Sequence, residues 1–466
     1  MADFKTFEKD GKKFLQYDKF PLPYEIIDDL LYSEDHKICH GLSPLIEEIP
    51  EHLIIKDGVC EIADYAFCDN TGIKDIFLSD TVERIGKQAF YRSSVRYINL
   101  DKVRFFGEDA FAASNLSGEI VINKNAKFGT KEKKLDNYTF CTFASCKNLE
   151  SVKFGPSVVP RSAFDNSGFS SFEFMNDVTE ICPYAFHDCK NLKHITLKEG
   201  LMKIGMCAFE GSGLNEITIP STVYSIEPYA FATCRALTQV KFLPPTGEII
   251  PPLMIKNNSF ANTAIYEFTV PPHCITIGQE MLFSCLNLEA VTIDARVSIP
   301  EAFAKKCTNL KHVVLNENIV NIGIEAFAFT GLTEVNKNFK NIKNFGPNAF
   351  LGCDKLTFIH TYGEANFSSM YPFQNCEHVE LVILENKEKV NYEAIGLMVP
   401  DSYKNEKNIT LLLPCMDKSK ISKEFKNFNL LDISSGDAII KLTNYMSFNE
   451  IQKLFGRASA SQGHEI

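Results

Sequence analysis

The stretch from Ala185 to Phe209 reads A-F-H-D-C-K-N-L-K-H-I-T-L-K-E-G-L-M-K-I-G-M-C-A-F. It begins and ends on the same pair, Ala-Phe. Between them lies the skeleton A-F-x-x-C-x-x-L-x-x-I-x-L, a turn, and then Ile-Gly. The alternation in L-x-x-I-x-L is that of a short strand that buries Ile195 and Leu197 and turns Thr196 to solvent. Working outward, Ala-Phe returns at Phe67, Phe90, Phe111, Phe164, Phe186, Phe209, Phe231, Phe303, Phe327 and Phe350, mostly 21 to 24 residues apart. Degenerate copies at Phe143, Phe260, Leu282 and Phe373 fill the gaps and bring the total to about fourteen units. A period of this length is the mark of a solenoid, because one such unit cannot bury its own apolar faces and stacking on neighbours closes the core. We therefore expect a repeat solenoid whose strands form a stacked parallel sheet. Turns or short helical segments should lie opposite, with the anchor rings in an internal column.

Two forms of the unit alternate. One carries cysteine three residues after the anchor, at Cys146, Cys189, Cys234, Cys285, Cys353 and Cys376, with Cys307 one place late. The other is one residue shorter and carries glycine, as in Ser167-Gly168, Ser212-Gly213 and Thr330-Gly331. Glycine permits a tighter backbone there, and the cysteine reads as a small buried filler.

This pattern, followed by Ile-Gly-x-x-Ala-Phe, resembles the BspA-like leucine-rich repeats over about residues 53 to 385. The resemblance implies a leucine-rich-repeat solenoid. For function it implies surface adhesins or antigens in some members and intracellular proteins in others.

The chain has 466 residues, 45% apolar and 23% charged, with 38 phenylalanines, no tryptophan and a formal net charge of -11. That is ample core material, and an acidic balance disfavours nucleic acid as a partner. No apolar run reaches the ~18 to 20 residues of a spanning helix. The N-terminus, MADFKTFEKDGKKF, has no apolar segment behind its charges, and the cysteine count of 15 is odd. Reduced thiols and a cytoplasmic location are expected, with the cell surface, reached without a cleaved signal, as the alternative.

We divide the chain into an N-terminal cap (1–52), the solenoid (53–385), a C-terminal cap (386–455) and a disordered tail (456–466). Tyr24 to Leu31 has the spacing of a short amphipathic helix. Ile409 to Leu413 reads as a strand. Ser447 with Glu450 forms a capping box ahead of Ile451, Leu454 and Phe455. Loop insertions are expected near 123–137, with Lys124, Lys127, Lys131, Lys133 and Lys134, and near 243–258, around Pro244-Pro245 and Pro251-Pro252.

No G-x-S-x-G, H-E-x-x-H or P-loop occurs, so neither an enzyme nor a cofactor is expected. His36-x-x-Cys39-His40 lacks the second regular ligand pair of a zinc site, so no metal is assigned. The open face of the sheet is the candidate contact surface for a protein partner. One outward row reads His194, Glu216, Gln239, Glu267, Ala290, His312, Glu334, Phe358. Its neighbour reads Thr196, Thr218, Lys241, Thr269, Thr292, Val314, Asn336, His360. From these rows we take His194, Thr196, Glu216, Thr218, Gln239, Lys241, Glu267, Thr269, His312, Glu334 and Phe358 as candidate contacts.

Overall fold

A computed structural model describes residues 4–18, 22–129, 140–247, 250–363, 365, 371–385, 409–412, 428–430 and 436–461. They fall into two compact units, Met1–Pro251 and Pro252–Ile466. Each is a β-solenoid of stacked coils. The coils have three sides, and the one around Phe209 illustrates them.

The first side is the expected strand. Glu216–Ile219 pairs in parallel with Gln239–Phe242, with Ile217 and Ile219 buried and Glu216 and Thr218 exposed. The second side is also a sheet, which the sequence pattern does not signal. The isoleucine of Ile-Gly and the residue before it form a parallel ladder of their own, in which Lys203–Ile204 lies between Glu180–Ile181 and Ser225–Ile226. The third side is the turn around the aromatic ring. Cys207 and Gly211, two residues before and after Phe209, take positive φ of 54° and 69°. These left-handed residues point alternate N–H groups at the next coil: Cys207, Phe209 and Gly211 donate to the carbonyls of Pro228, Ala230 and Ala232 at 2.8 to 3.0 Å. The amides in between, of Ala208, Glu210 and Ser212, turn back three residues at 3.0 to 3.2 Å. No amide of this buried turn is left orphaned, as burial requires.

The rings stack as the repeat demands. Phe209 lies 5.1 Å from Phe186 and 5.2 Å from Phe231, at interplanar angles of 12° and 3°. All fourteen anchors are buried. One is displaced: in the Phe303 coil the left-handed residues are Ala302 and Lys306, and Leu282 donates to the Phe303 carbonyl. Ala304 therefore occupies the anchor position and Phe303 precedes it. Cys307 thus sits in register, and the ring meets Phe327 edge-on at 77°.

The repeat cysteines do more than fill space. Cys146, Cys189, Cys234, Cys285, Cys307, Cys353 and Cys376 each donate a thiol hydrogen bond at 2.9 to 3.2 Å to a carbonyl one coil back, at Phe111, Phe164, Phe209, Phe260, Leu282, Phe327 and Phe350. In shorter units a hydroxyl stands at that place: Ser167 donates to Phe143 across 2.6 Å. The adjoining Gly168 has no left-handed φ; a Cβ there would run into the Lys147 carbonyl oxygen of the previous coil. Close approach, not conformational freedom, calls for glycine.

Several expectations need correction. Tyr24 to Leu31 is not a helix but a hairpin, strand β3 (Tyr24–Ile27) against β4 (Leu30–Tyr32), preceded by β1 (Phe4–Lys9) against β2 (Lys12–Tyr17). Both are closed by two-residue turns with positive φ throughout, at Asp10-Gly11 and Asp28-Asp29. Such turns match the twist of antiparallel strands. β5 (Ile38–Leu42) then joins this meander to the first parallel ladder. The basic insertion begins later than expected: Lys127–Phe128 pairs with Phe105–Phe106, and Ala126 and Phe128 are buried, while Lys131, Lys133 and Lys134 lie outside the described residues. The proline-rich insertion ends earlier, because Leu253–Ile255 is a strand with both ends buried. Residues 456–461 belong to helix α2 (Phe448–Ser461), preceded by α1 (Gly436–Leu442). Arg457, Ala458 and Ala460 are good helix formers and extend a helix already nucleated. The capping box holds: the Ser447 N–H donates to Glu450 Oε2 at 2.9 Å, and Ile451 and Leu454 are buried.

Candidate functional site

In the first unit the outward rows come together as expected. Glu216 lies opposite Gln239 and Thr218 opposite Lys241. His194 and Thr196 stand on the coil before, and all six side chains are exposed and line one open groove. Its floor is the apolar edge of Ile195, Leu197 and Ile217.

The groove has a structural cause. The ladder that includes Ser171–Phe174 stops there, and the next begins at Glu216–Ile219. The amides of 194–197 bond to neither neighbouring coil; the Asn215 N–H to Lys193 O contact, 3.1 Å, is the tie at this point. Backbone groups without a partner in the neighbouring coils, a hydroxyl pair and charges of both signs thus line the groove together. His194 Nδ1 is 3.8 Å from Glu216 Oε1, with 67% and 62% of these side chains exposed. Such a pair adds little to stability and stays available to a ligand.

In the second unit Glu267, Ala290 and His312 are in register, as are Thr269, Thr292 and Val314. Glu267, Thr269 and His312 are exposed, and Glu334 is half-buried. Phe358 is not a contact residue. It is 1% exposed, and Tyr445 stacks on it at 4.9 Å and 27°. Phe358, Leu381, Ile383 and Leu412 form an apolar outward patch covered by Leu442 of α1 and by Ile451 and Leu454 of α2. The Tyr445 hydroxyl donates to Glu380 at 2.7 Å, and Lys337 pairs with Glu450 at 3.4 Å. The signal for this was present: Leu381–Leu384 and Ile409–Leu412 are nearly unbroken apolar runs, fitting strands buried on both faces. His360 is buried beside them, 2.8 Å from Glu385.

The three possible ligands near the N-terminus point to different places. His36 bonds Glu25 at 2.8 Å, Cys39 is enclosed, and His40 packs on Tyr24 at 4.6 Å. Among the described residues no three histidine, cysteine or acidic side chains are placed to hold a metal ion, and no helix is long and apolar enough to cross a membrane.

Comparison with known proteins agrees with this architecture. The model of the BspA type leucine rich repeat region matches residues 49–159, 157–251, 252–357, 283–396 and 336–454. No curated protein matches the chain. Among solved structures, a leucine-rich repeat protein from Bacteroides ovatus is 21% identical, with a TM-score of 0.54 over 77% of this chain and 94% of its own. At that identity the likeness is one of fold. The pneumococcal vaccine antigen PcpA is 14% identical, with a TM-score of 0.38 over 88% of this chain and 93% of its own. A leucine rich cell surface protein from Faecalibacterium prausnitzii is 18% identical, with a TM-score of 0.29 over 82% and 89%.

Proposed function

We propose that this chain, which belongs to the BspA-type leucine-rich repeat family, is a non-enzymatic scaffold that holds a protein partner on the outward face of its repeat strands. The observation that carries the proposal is the groove of the first unit. Three successive coils present His194, Thr196, Glu216, Thr218, Gln239 and Lys241 to solvent above a narrow apolar floor. A rigid frame holds these side chains in place, so little ordering is needed on binding. Polar groups of both signs around apolar carbon suit a protein surface.

The test compares three immobilised forms of the full chain in extract of the cells that make it. They are the unaltered protein, the groove variant His194→Ala/Glu216→Lys/Lys241→Glu, and the turn-side variant Lys190→Glu/Arg235→Glu. We expect a protein retained by the first and third and reduced about tenfold on the second, a loss of ~1.4 kcal/mol. Retention of the same proteins by all three, or of none by any, would contradict the proposal.

A further inference from the structure

The outward face changes character along the chain. At its first three strands, His52–Ile54, Asp75–Phe77 and Tyr97–Ile98, it is apolar again: Ile54 lies opposite Phe77, and Phe77 packs 5.5 Å from Tyr97. Ile54 is 72% exposed, and Phe77 and Tyr97 are exposed beside it. Three neighbouring side chains of this size make a patch of a few hundred Å², the scale at which exposed patches on monomers are commonly functional. The charges at its rim are already matched, His52 with Asp75 at 2.8 Å and Lys74 with Glu51. Nothing there calls for a charged ligand.

The chain itself supplies what such a patch takes. At the corresponding rows of the second unit, Phe358, Leu381, Ile383 and Leu412 are covered by α1 and α2. That helix pair also leaves apolar side chains uncovered: Ile440 is 69% exposed and Phe448 60%, with Ile439 exposed as well. One chain thus carries an uncovered apolar sheet face and uncovered apolar side chains on a helix pair. Each is of the kind that the covered patch shows fitting together.

We propose that copies of this chain associate head to tail, the outer surface of α1 and the start of α2 of one copy resting on the Ile54, Phe77 and Tyr97 face of the next. The two surfaces differ, so the contact is heterologous and can continue beyond a dimer. The modest patch and the net charge of -11 on each copy make it weak.

Sedimentation equilibrium of the full chain from about 1 µM to about 1 mM, the affinity range suited to an interface below ~1,200 Å², tests this. The weight-average mass should rise steadily past that of a dimer. Ile54→Asp/Phe77→Asp and Ile440→Asp/Phe448→Asp, each alone, should remain monomeric with an unchanged circular dichroism spectrum. An equimolar mixture of the two variants should form a 1:1 pair and stop there, because only one intact sheet face and one intact helix surface can meet. An unaltered protein that stays monomeric across the range would overturn the proposal. So would an association that survives either double variant.

Discussion

Phe209→Ala is expected to lower stability by about 3 to 5 kcal/mol, the usual cost of emptying a core phenylalanine site, and Thr218→Ala by about 0.5 kcal/mol. Phe209 is fully buried between two parallel rings, so its removal breaks the aromatic column on both sides. The surrounding turn is held by hydrogen bonds to the next coil and cannot collapse into the cavity without losing them. Thr218, nine residues on, faces solvent. Side chains alternate along a strand, so a register error of one residue would exchange the two outcomes for Thr218 and its neighbours. Denaturant unfolding followed by two probes measures both variants, since repeat arrays need not unfold in one step. Equal losses for the two would contradict the assignment of faces.

Leu454→Ala should cost about 2 to 5 kcal/mol, because Leu454 is 2% exposed in the layer that covers Phe358, Leu381, Ile383 and Leu412. The loss should stay local. Coils contact their neighbours, so amide exchange should accelerate in α1, α2 and the strands beneath them and remain unchanged around Phe209. An environment-sensitive dye should report the uncovered apolar patch. Uniform acceleration through both units, or none in the helices, would show that α1 and α2 do not act as a cover.

Much of this was legible because the signal repeats. A single Ala-Phe pair means little, whereas its return every 21 to 24 residues specifies the coil, the buried column and the alternation at Ile217, Thr218 and Ile219. What escaped had no periodicity to betray it. The second ladder is two residues in most coils, too short for alternation to appear. Ile26, Ile27, Leu30 and Leu31 have a spacing that fits a helix and a tight hairpin alike, and positive φ at Asp28-Asp29 decides between them. The role of the repeat cysteines depends on a carbonyl one coil away. The outward row of the polar coils upstream leads by spacing alone to Phe358, although the apolar runs downstream already indicate a cover. Of the proposed contacts, the six of the first unit converge on one groove, Glu267, Thr269 and His312 are exposed, Glu334 is half-buried and Phe358 is enclosed.

The central claim is the register, which decides the side chains that face inward and those that meet a partner, and the native cysteines report it without any substitution. The fourteen described cysteines are all unpaired: Cys60 is exposed, Cys68, Cys141 and Cys182 are half-buried, and the others are buried. Burial pushes the thiols of Cys146, Cys189 and Cys234 up to about 12. A rise of about three pH units leaves roughly a thousandfold less of the reactive thiolate. Pulsed alkylation of the native protein near neutral pH, read residue by residue by mass spectrometry, should label Cys60 first and Cys68 more slowly. Cys146, Cys189, Cys234, Cys285, Cys307 and Cys353 should remain unlabelled until denaturant is added. Labelling of these six at the rate of Cys60 would mean that the coils do not stack in this register.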